Sequence, residues 1–273
     1  MTARAALAGL GVLAVALALA ASPAAAAVRK PPPGYRIVRT ADLALPAHSR
    51  HQGEAVCPAG TVPWGGGVIT ESPDPAVVVA DSFPDTGSWL ADVSNPTGSD
   101  TAFQVQVVCA RRPAGYTIVS GNSVTLGPML EAGATETCPA GTHPLGGGGF
   151  TTSGDTTAIN STGPDGMSWA IEENNPTALQ WMILPDAICG HPRFYRVVKG
   201  ASFAIGAGTR GGSQGTCPAP FVVSGGGVFT ASSDLSVNVA GTEPIGRTIW
   251  GSFVANDSAF AVTATPEAVC VHS

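Results

Sequence analysis

One short string in the chain has the form of a catalytic motif. Residues 211–215 read G-G-S-Q-G and fit the pattern G-x-S-x-G, in which the serine, here Ser213, stands on a strained turn between a strand and a helix. Asp234 or Asp257 as the acid and His272 as the base would complete the usual chain order of a hydrolase triad. The string runs directly into Thr216-Cys217 without either element. The sequence therefore favours a glycine-rich loop over a hydrolase.

Other side chains that could do chemistry are scattered along the chain. The five histidines occupy no equivalent positions, and His48 and His51 form the one close pair, which we interpret as part of a solvent-facing loop. A group of carboxylates matches no calcium-loop spacing; its members are Glu71, Asp74, Asp81 and Asp85. We therefore expect no metal ion, no cofactor and no enzymatic activity.

The chain repeats one pattern three times. Each copy contains C-P-A-G or C-P-A-P, then a run of glycines, a tryptophan, an asparagine six residues later and a closing cysteine. The first cysteine recurs after 81 and then 79 residues. The tryptophans are Trp89, Trp169 and Trp250, and the asparagines are Asn95, Asn175 and Asn256. A period near 80 residues that drifts so little predicts three copies of one structural unit.

The six cysteines are expected to form disulfide bonds, because an exported chain with an even number of cysteines normally pairs them. Six cysteines allow 15 pairings, and the repeat favours closure within each unit. The predicted bonds are Cys57–Cys109, Cys138–Cys189 and Cys217–Cys270. Closing loops of this length would stabilise the fold by roughly 4 kcal/mol each in the chain-entropy model.

The beginning of the chain predicts export. Arg4 is followed by an apolar run from Ala5 to Ala21 and by small residues up to Ala27, which is typical of a secretory signal peptide. No later run reaches the length of a membrane helix. The predicted divisions are a signal peptide at 1–27, a leader at 28–33 and three β units at 34–110, 115–190 and 194–273.

The charge of the chain argues against nucleic acid as a partner. Thirteen Lys and Arg oppose 19 Asp and Glu, the net charge is −6, and 12% of residues are charged. Recognition of phosphate backbones requires a basic face that such a composition lacks. A weakly charged surface suits wall polysaccharide, glycan or another extracellular protein, and we expect neither nucleic acid nor membrane as a partner.

The apolar pattern of each unit alternates and holds no helical period. Tyr35 to Arg39 and Phe103 to Val108 are examples of short β-rich runs bounded by Gly, Pro, Asn and Asp. We predict an all-β fold of about five or six antiparallel strands per unit. Short connectors at 111–114 and 191–193 indicate that the three units pack compactly, as small β-sandwiches in tandem.

The tryptophans divide into two groups. The three repeated ones fall on the apolar face of a strand, so we predict that each is buried beside its disulfide; the alternative is that they stack on sugars. Trp64 and Trp181 occur in single copies. We predict that both are exposed, and they are our candidate ligand-binding residues.

The order Tyr, C-P-A-G, G-G-G, Trp, Asn and closing A-I-C or A-V-C resembles that of small secreted repeat proteins of actinobacteria over nearly the whole mature chain. That resemblance implies an exported β-rich protein and no known activity. The chain is also similar to the vitelline membrane outer layer family, whose three copies build a β-prism; a single pseudo-threefold β-prism is therefore the alternative fold. Pro220 replaces Gly60 and Gly141 in the third copy.

These features together predict a secreted, non-catalytic structural or adhesive binding module of the extracellular space or cell envelope. The alternative is a lectin-like carbohydrate binder with one site per repeat. A serine hydrolase and a protease inhibitor are less favoured, since no catalytic or reactive segment is identified.

Overall fold

The protein folds entirely as β structure. The computed structural model describes residues 30–153 and 156–272, and these form twenty-one strands with no helix among them. Each unit contributes seven strands, one or two more than the alternation indicated. The predicted signal peptide, residues 1–27, lies outside the described residues.

The seven strands of each unit occupy equivalent positions. In the first unit they are β1 (Arg36–Arg39), β2 (Leu43–Leu45), β3 (Ser49–Val56), β4 (Val62–Thr70), β5 (Val78–Pro84), β6 (Ser88–Asn95) and β7 (Thr101–Ala110). In the second they are β8 (Ala114–Ser120), β9 (Val124–Leu126), β10 (Leu130–Thr137), β11 (His143–Thr151), β12 (Ala158–Asp165), β13 (Ser168–Asn175) and β14 (Trp181–His191). In the third they are β15 (Phe194–Lys199), β16 (Phe203–Ile205), β17 (Thr209–Thr216), β18 (Val222–Thr230), β19 (Val237–Pro244), β20 (Ile249–Asn256) and β21 (Val262–His272).

The strands form three antiparallel sheets of seven, and every sheet takes strands from two units. Sheet 1 has the order β1-β7-β4-β19-β20-β17, sheet 2 the order β3-β6-β5-β11-β14-β8, and sheet 3 the order β10-β13-β12-β18-β21-β15. The short strands β2, β9 and β16 pair with β7, β14 and β21. Each unit therefore gives four strands to one sheet and three to the next.

This sharing decides between the two predicted arrangements. The all-β class and the three stapled units are confirmed, and the units follow one another in tandem. They are not separate sandwiches, because no unit completes a sheet by itself. The three sheets surround one continuous hydrophobic core with residues from all three units, which is the pseudo-threefold arrangement of the alternative.

The first glycine of each run brings the three units into contact at the pseudo-threefold axis. A Cβ on Gly65 would lie 2.3 Å from the carbonyl oxygen of Ser224, and one on Gly146 would lie 2.6 Å from the Cα of Gly65. A Cβ on Gly225 would lie 2.6 Å from the carbonyl oxygen of Leu145. The backbones approach so closely that only glycine fits at these positions.

The repeated tryptophans lie against the second glycine of each run. Trp89, Trp169 and Trp250 are at most 1% exposed, so their predicted burial is confirmed. The Trp89 Nε1–H donates to Ser82 Oγ at 2.9 Å, and the Trp169 Nε1–H donates to Thr162 Oγ1 at 2.9 Å. These tryptophans thus fill the interior and are not available to stack on sugars.

The predicted disulfides are confirmed, and each one joins two sheets. Cys57 follows β3 of sheet 2 and bonds to Cys109 in β7 of sheet 1. The equivalent bonds are Cys138–Cys189 and Cys217–Cys270. All three bonds lie within single units, yet together they connect the three sheets in a ring.

The repeated asparagines organise the turns that follow the sixth strand of each unit. Asn95 is fully buried; its amide Nδ2 donates to three carbonyl oxygens, those of Leu45, Pro46 and Ser99, and its Oδ1 accepts from the Thr97 amide at 3.1 Å. Asn175 and Asn256 make the same kind of contacts in the other units.

Candidate functional site

A concave site opens at the end of the axis where the connections between units converge. It has a volume of about 470 Å³. We call it the axial mouth and define it by its lining residues, which are Pro32, Pro33, Trp64, Arg111, Arg112, Pro113, Ala114, His191, Pro192, Arg193 and His272. The leader, both connectors and the end of β21 therefore build one site from all three units.

Three prolines at equivalent positions form the walls of the mouth. Pro32, Pro113 and Pro192 each stand three residues before the tyrosine of their unit. The Tyr35 amide donates to the Pro32 carbonyl at 3.0 Å, and the Arg111 amide donates to the Pro33 carbonyl at 2.8 Å. Because proline fixes its own φ angle, these walls are rigid and apolar.

A β-bulge turns Trp64 toward the floor of the mouth. The register between β4 and β7 shifts between Pro63 and Gly65, which leaves Trp64 as the extra residue. Trp64 is 3% exposed, so its predicted exposure is wrong. The equivalent bulge residues are Leu145 and Ser224. Nothing in the repeat pattern reveals that this bulge points its side chain inward.

The indole N–H of Trp64 has no hydrogen-bond acceptor within the part of the chain that the structure describes. In the third unit the residue at the same position is satisfied, since Ser224 Oγ donates to the Leu145 carbonyl at 2.9 Å. Leaving a buried donor without an acceptor costs about 1–3 kcal/mol. The tryptophan that lines the mouth therefore carries a buried indole N–H whose bonding capacity the described residues do not use.

The rim of the mouth is basic. Arg111, Arg112, Arg193 and His191 are exposed there, and no Asp or Glu lines the mouth. The three arginines form no ion pair with any carboxylate of residues 30–153 and 156–272. The Arg112 guanidinium lies 4.9 Å from the centre of the Tyr116 ring. Positive charge is thus concentrated in a chain whose net charge is negative.

The tyrosines beside the mouth tie neighbouring units together. Tyr35 Oη donates to the Val223 carbonyl and Tyr116 Oη donates to the Pro63 carbonyl, both at 2.8 Å. Burial raises the pKa of both hydroxyls, which therefore remain protonated donors at neutral pH. These bonds hold the bulged strands on which the floor depends.

A smaller pocket of about 260 Å³ lies where the strands β5, β12 and β19 begin. Its lining residues carry no charge and include Val78, Asn174 and Asn238. Asn174 Nδ2 donates to Asn238 Oδ1 at 2.9 Å, while the buried Asn174 Oδ1 has no donor among the described residues. This pocket is suited to a small neutral ligand.

Acidic residues meet at the junction of the first two units. The Arg50 guanidinium contacts Asp81 and lies 3.4 Å from Asp92 Oδ2, and the Thr151 amide donates to Asp81 Oδ1 at 2.9 Å. Glu173 is nearby and fully buried, with no partner for either carboxylate oxygen in the described ranges. Burial, with Asp81 adding to it, raises the pKa of Glu173 well above its usual value. This junction is a structural ion pair beside a buried acid whose pKa is raised.

The structure does not assemble the hydrolase triad. Ser213 lies within β17, an outer strand of sheet 1, and its hydroxyl donates to the Ala201 carbonyl at 3.1 Å. Gly200 in turn binds the Pro266 carbonyl, and His272 follows Pro266 by six residues along β21, roughly 20 Å of strand. The expected loop is itself a strand, because G-x-S-x-G here pairs with β20.

The triad acids and the other candidate groups serve local structure. Asp234 Oδ1 accepts from the Ser236 amide, as Asp74 Oδ1 does from the Ala76 amide, and the Asp257 amide donates to the Ser236 carbonyl. His48 and His51 each contact a backbone carbonyl. The Glu71 amide donates to the Ala102 carbonyl at the end of the β4–β7 pairing, and the Asp85 amide donates to the Ser88 carbonyl in a turn. Among the described residues, no three His, Cys, Asp or Glu side chains are placed to hold a metal ion.

Trp181 and Trp64 are not brought together. Trp181 is half-buried at the start of β14, where its Nε1–H lies 3.3 Å from Thr177 Oγ1. Gly190 at the other end of β14 lies near the mouth, nine residues and roughly 30 Å of strand away. The two candidate ligand-binding residues cannot share one small ligand.

Sequence reasoning missed the basic rim. The Arg111-Arg112 pair and the 191–193 segment were interpreted only as connectors between units. The available signal was their equivalent position: both follow a closing cysteine and precede a tyrosine, so a threefold packing places them around one axis.

Comparison with protein-family models gives no match, and neither does comparison with curated proteins. Over the described ranges, no helix could span a membrane.

Proposed function

We propose that this protein is a secreted, non-catalytic binding module of the extracellular space or cell envelope. The observation that carries the proposal is the axial mouth, a preformed cavity with a basic rim that no Asp or Glu of the described residues neutralises. Ligand sites are typically concave, largely apolar and equipped with a few polar groups. The mouth has all three properties.

The rest of the fold supports binding by a rigid body. Three disulfides connect the three sheets, and such bonds persist in oxidising compartments outside the cytosol. A preorganised site loses little conformational freedom when it binds. Rigidity of this kind favours an adhesive or scaffolding role over a mobile catalytic one.

The lectin-like alternative predicted one sugar site in every repeat, whereas we propose a single site for this alternative. The three repeated tryptophans are buried, so they offer no sugar platforms. The uncharged pocket that contains Asn174 is the feature that favours a neutral glycan, and it would supply one site per molecule.

Retention on insoluble cell-wall material tests the proposal. We expect the chain without its signal peptide to sediment with the wall, and the triple variant Arg111→Ser/Arg112→Ser/Arg193→Ser to lose about fivefold or more of that retention. Arg36→Ser, which changes an exposed arginine of β1 outside the mouth, is the matched control. Wild-type retention no higher than that of an unrelated acidic protein would contradict the proposal.

The hydrolase alternative has its own test. Labelling by a fluorophosphonate probe that disappears in Ser213→Ala would establish Ser213 as a nucleophile. We expect no labelling, because the Ser213 hydroxyl already donates to a backbone carbonyl within a regular strand.

A further inference from the structure

We propose that the axial mouth binds the carboxylate of a ligand with a small apolar stem, with Arg111, Arg112 and Arg193 at the rim and Trp64 at the floor. This proposal rests on the proposed function and specifies the ligand class of the same site.

The first argument is charge. Three arginines converge on one opening without a described carboxylate partner, although acidic residues outnumber basic ones in the chain. Like charges so close together repel one another, and an anion in the mouth would relieve that repulsion. Guanidinium groups also match the planar geometry of a carboxylate and can bind both of its oxygens.

The second argument is the floor. Trp64 is nine-tenths or more buried, and its indole N–H lacks an acceptor among the described residues. The corresponding Leu145 needs no acceptor, and the corresponding Ser224 has one. Trp64 therefore places a buried, unmatched donor behind the lining of the mouth on which the arginines converge.

The third argument concerns the stem. The walls between rim and floor are formed by prolines, with Pro32 and Pro192 buried and Pro113 half-buried. An apolar wall gives a bare inorganic anion little to contact, whereas it would cover a methyl-sized side chain and remove it from water. A cavity of about 470 Å³ accommodates the end of a chain better than its middle. The combination favours a terminal carboxylate on a short apolar residue.

The experiment uses N-acetylalanine as the probe and N-acetylalaninamide as its uncharged counterpart. The readout is the indole N–H resonance of Trp64 in the ¹⁵N-labelled chain without its signal peptide, assigned with Trp64→Leu, which introduces the residue of the second unit. We expect N-acetylalanine to shift this resonance saturably and the amide to leave it unchanged at the same concentrations.

Two variants separate the mouth from the rest of the surface. The triple change Arg111→Ser/Arg112→Ser/Arg193→Ser should weaken N-acetylalanine binding by about tenfold or more, whereas Arg36→Ser should bind as the wild type does. These side chains are exposed, so the variants are expected to fold, and the dispersion of the spectrum checks that they do.

Three results would overturn the proposal: no saturable shift of the Trp64 resonance, equal shifts with the amide, or binding of inorganic phosphate as tight as that of N-acetylalanine. The last result would assign a site for a bare oxyanion. Wall retention without N-acetylalanine binding would remove this proposal and leave the proposed function intact. N-acetylalanine binding without wall retention would support this proposal and contradict the proposed function.

Discussion

At the scale of single residues, the second unit carries a glutamate where the other two carry valine. Glu173 occupies the position of Val93 and Val254, which belong to the hydrophobic core. Its carboxyl group is fully buried, and burial raises its pKa well above the usual value. The folded protein therefore keeps this group protonated at pH values where the unfolded chain has released the proton.

The substitution Glu173→Val should increase the free energy of unfolding by about 1–3 kcal/mol near neutral pH, because it removes a buried polar group without hydrogen bonds. Arg50 keeps Asp81 and Asp92 as partners in this variant. Urea unfolding followed by circular dichroism measures the change. Glu54→Val, at an exposed position of β3, is the control and should change stability little.

The increase in the free energy of unfolding caused by Glu173→Val should become larger as the pH rises. A carboxyl whose pKa is raised in the folded state binds more protons there than in the unfolded chain, so the stability that it contributes falls as pH rises above about 4.5. Asp186, whose pKa burial raises to about 6, acts in the same direction. Glu173→Val should therefore gain more at pH 7 than at pH 4.5. A variant less stable than the wild type would show that the carboxyl has a favourable partner.

At the scale of strands, the glycine runs allow the three units to meet. Gly65 faces the axis, Gly66 lies against the Trp89 ring, and Gly67 faces the Thr242 carbonyl of the neighbouring unit. Three consecutive glycines thus meet three different obstacles. Each would be closer than 2.5 Å to an added Cβ.

Gly65→Ala should destabilise the protein by about 3 kcal/mol or more, because its Cβ would overlap the Ser224 carbonyl oxygen and neither backbone can withdraw. Gly87→Ala is the matched control, since a Cβ there meets nothing within 4 Å and its φ angle is not left-handed. It should be neutral or raise stability by about 0.4–1 kcal/mol. Equal thermal unfolding temperatures for the two variants would contradict the close axial contact.

The repeat predicted much at this scale. The spacing of the cysteines gave the correct disulfides, and alternation around Trp89 gave its burial. Neither signal shows which strand of a neighbouring unit pairs with a given strand, because strands of different units pair through very few residues. Gly149 pairs with Ser82, and Thr162 pairs with Val228. So short a ladder leaves almost no trace in an alternating pattern.

The candidate site was predictable only in part for the same reason. Trp64 was identified as a candidate ligand-binding residue, but its exposure was mispredicted, since inward or outward direction depends on a one-residue bulge. Arg111, Arg112 and Arg193 belong to connectors that are far apart in the sequence. They meet only because the units close around an axis, and that closure is a property of the whole molecule.

At the scale of the molecule, each unit is an incomplete body. The first unit places four strands in sheet 1 and three in sheet 2, and both sheets need strands of another unit. An isolated unit would expose a sheet edge and much of its apolar interior to water. The resemblances to known repeat and prism families stay predictions, but the closure itself does not depend on them.

Residues 34–110, with Cys57 and Cys109 oxidised, should therefore fail to show a cooperative unfolding transition, whereas residues 28–273 should show one. The disulfide stabilises the fragment by roughly 4 kcal/mol in the chain-entropy model, which does not replace half of each sheet. Calorimetry and the dispersion of amide resonances measure the difference. A folded, monomeric fragment would show that a single unit is self-sufficient.

The sharing of sheet 1 between the first and third units also dictates an order of events during biosynthesis. Strand β4 is synthesised early on the ribosome, yet the strand that pairs with it across the unit boundary, β19, is translated more than 160 residues later. Until then the nascent polypeptide exposes an unpaired strand edge to which other copies of the chain can bind. Export in an unfolded state, which the predicted signal peptide would direct, would avoid that hazard if folding waits until the last third has crossed.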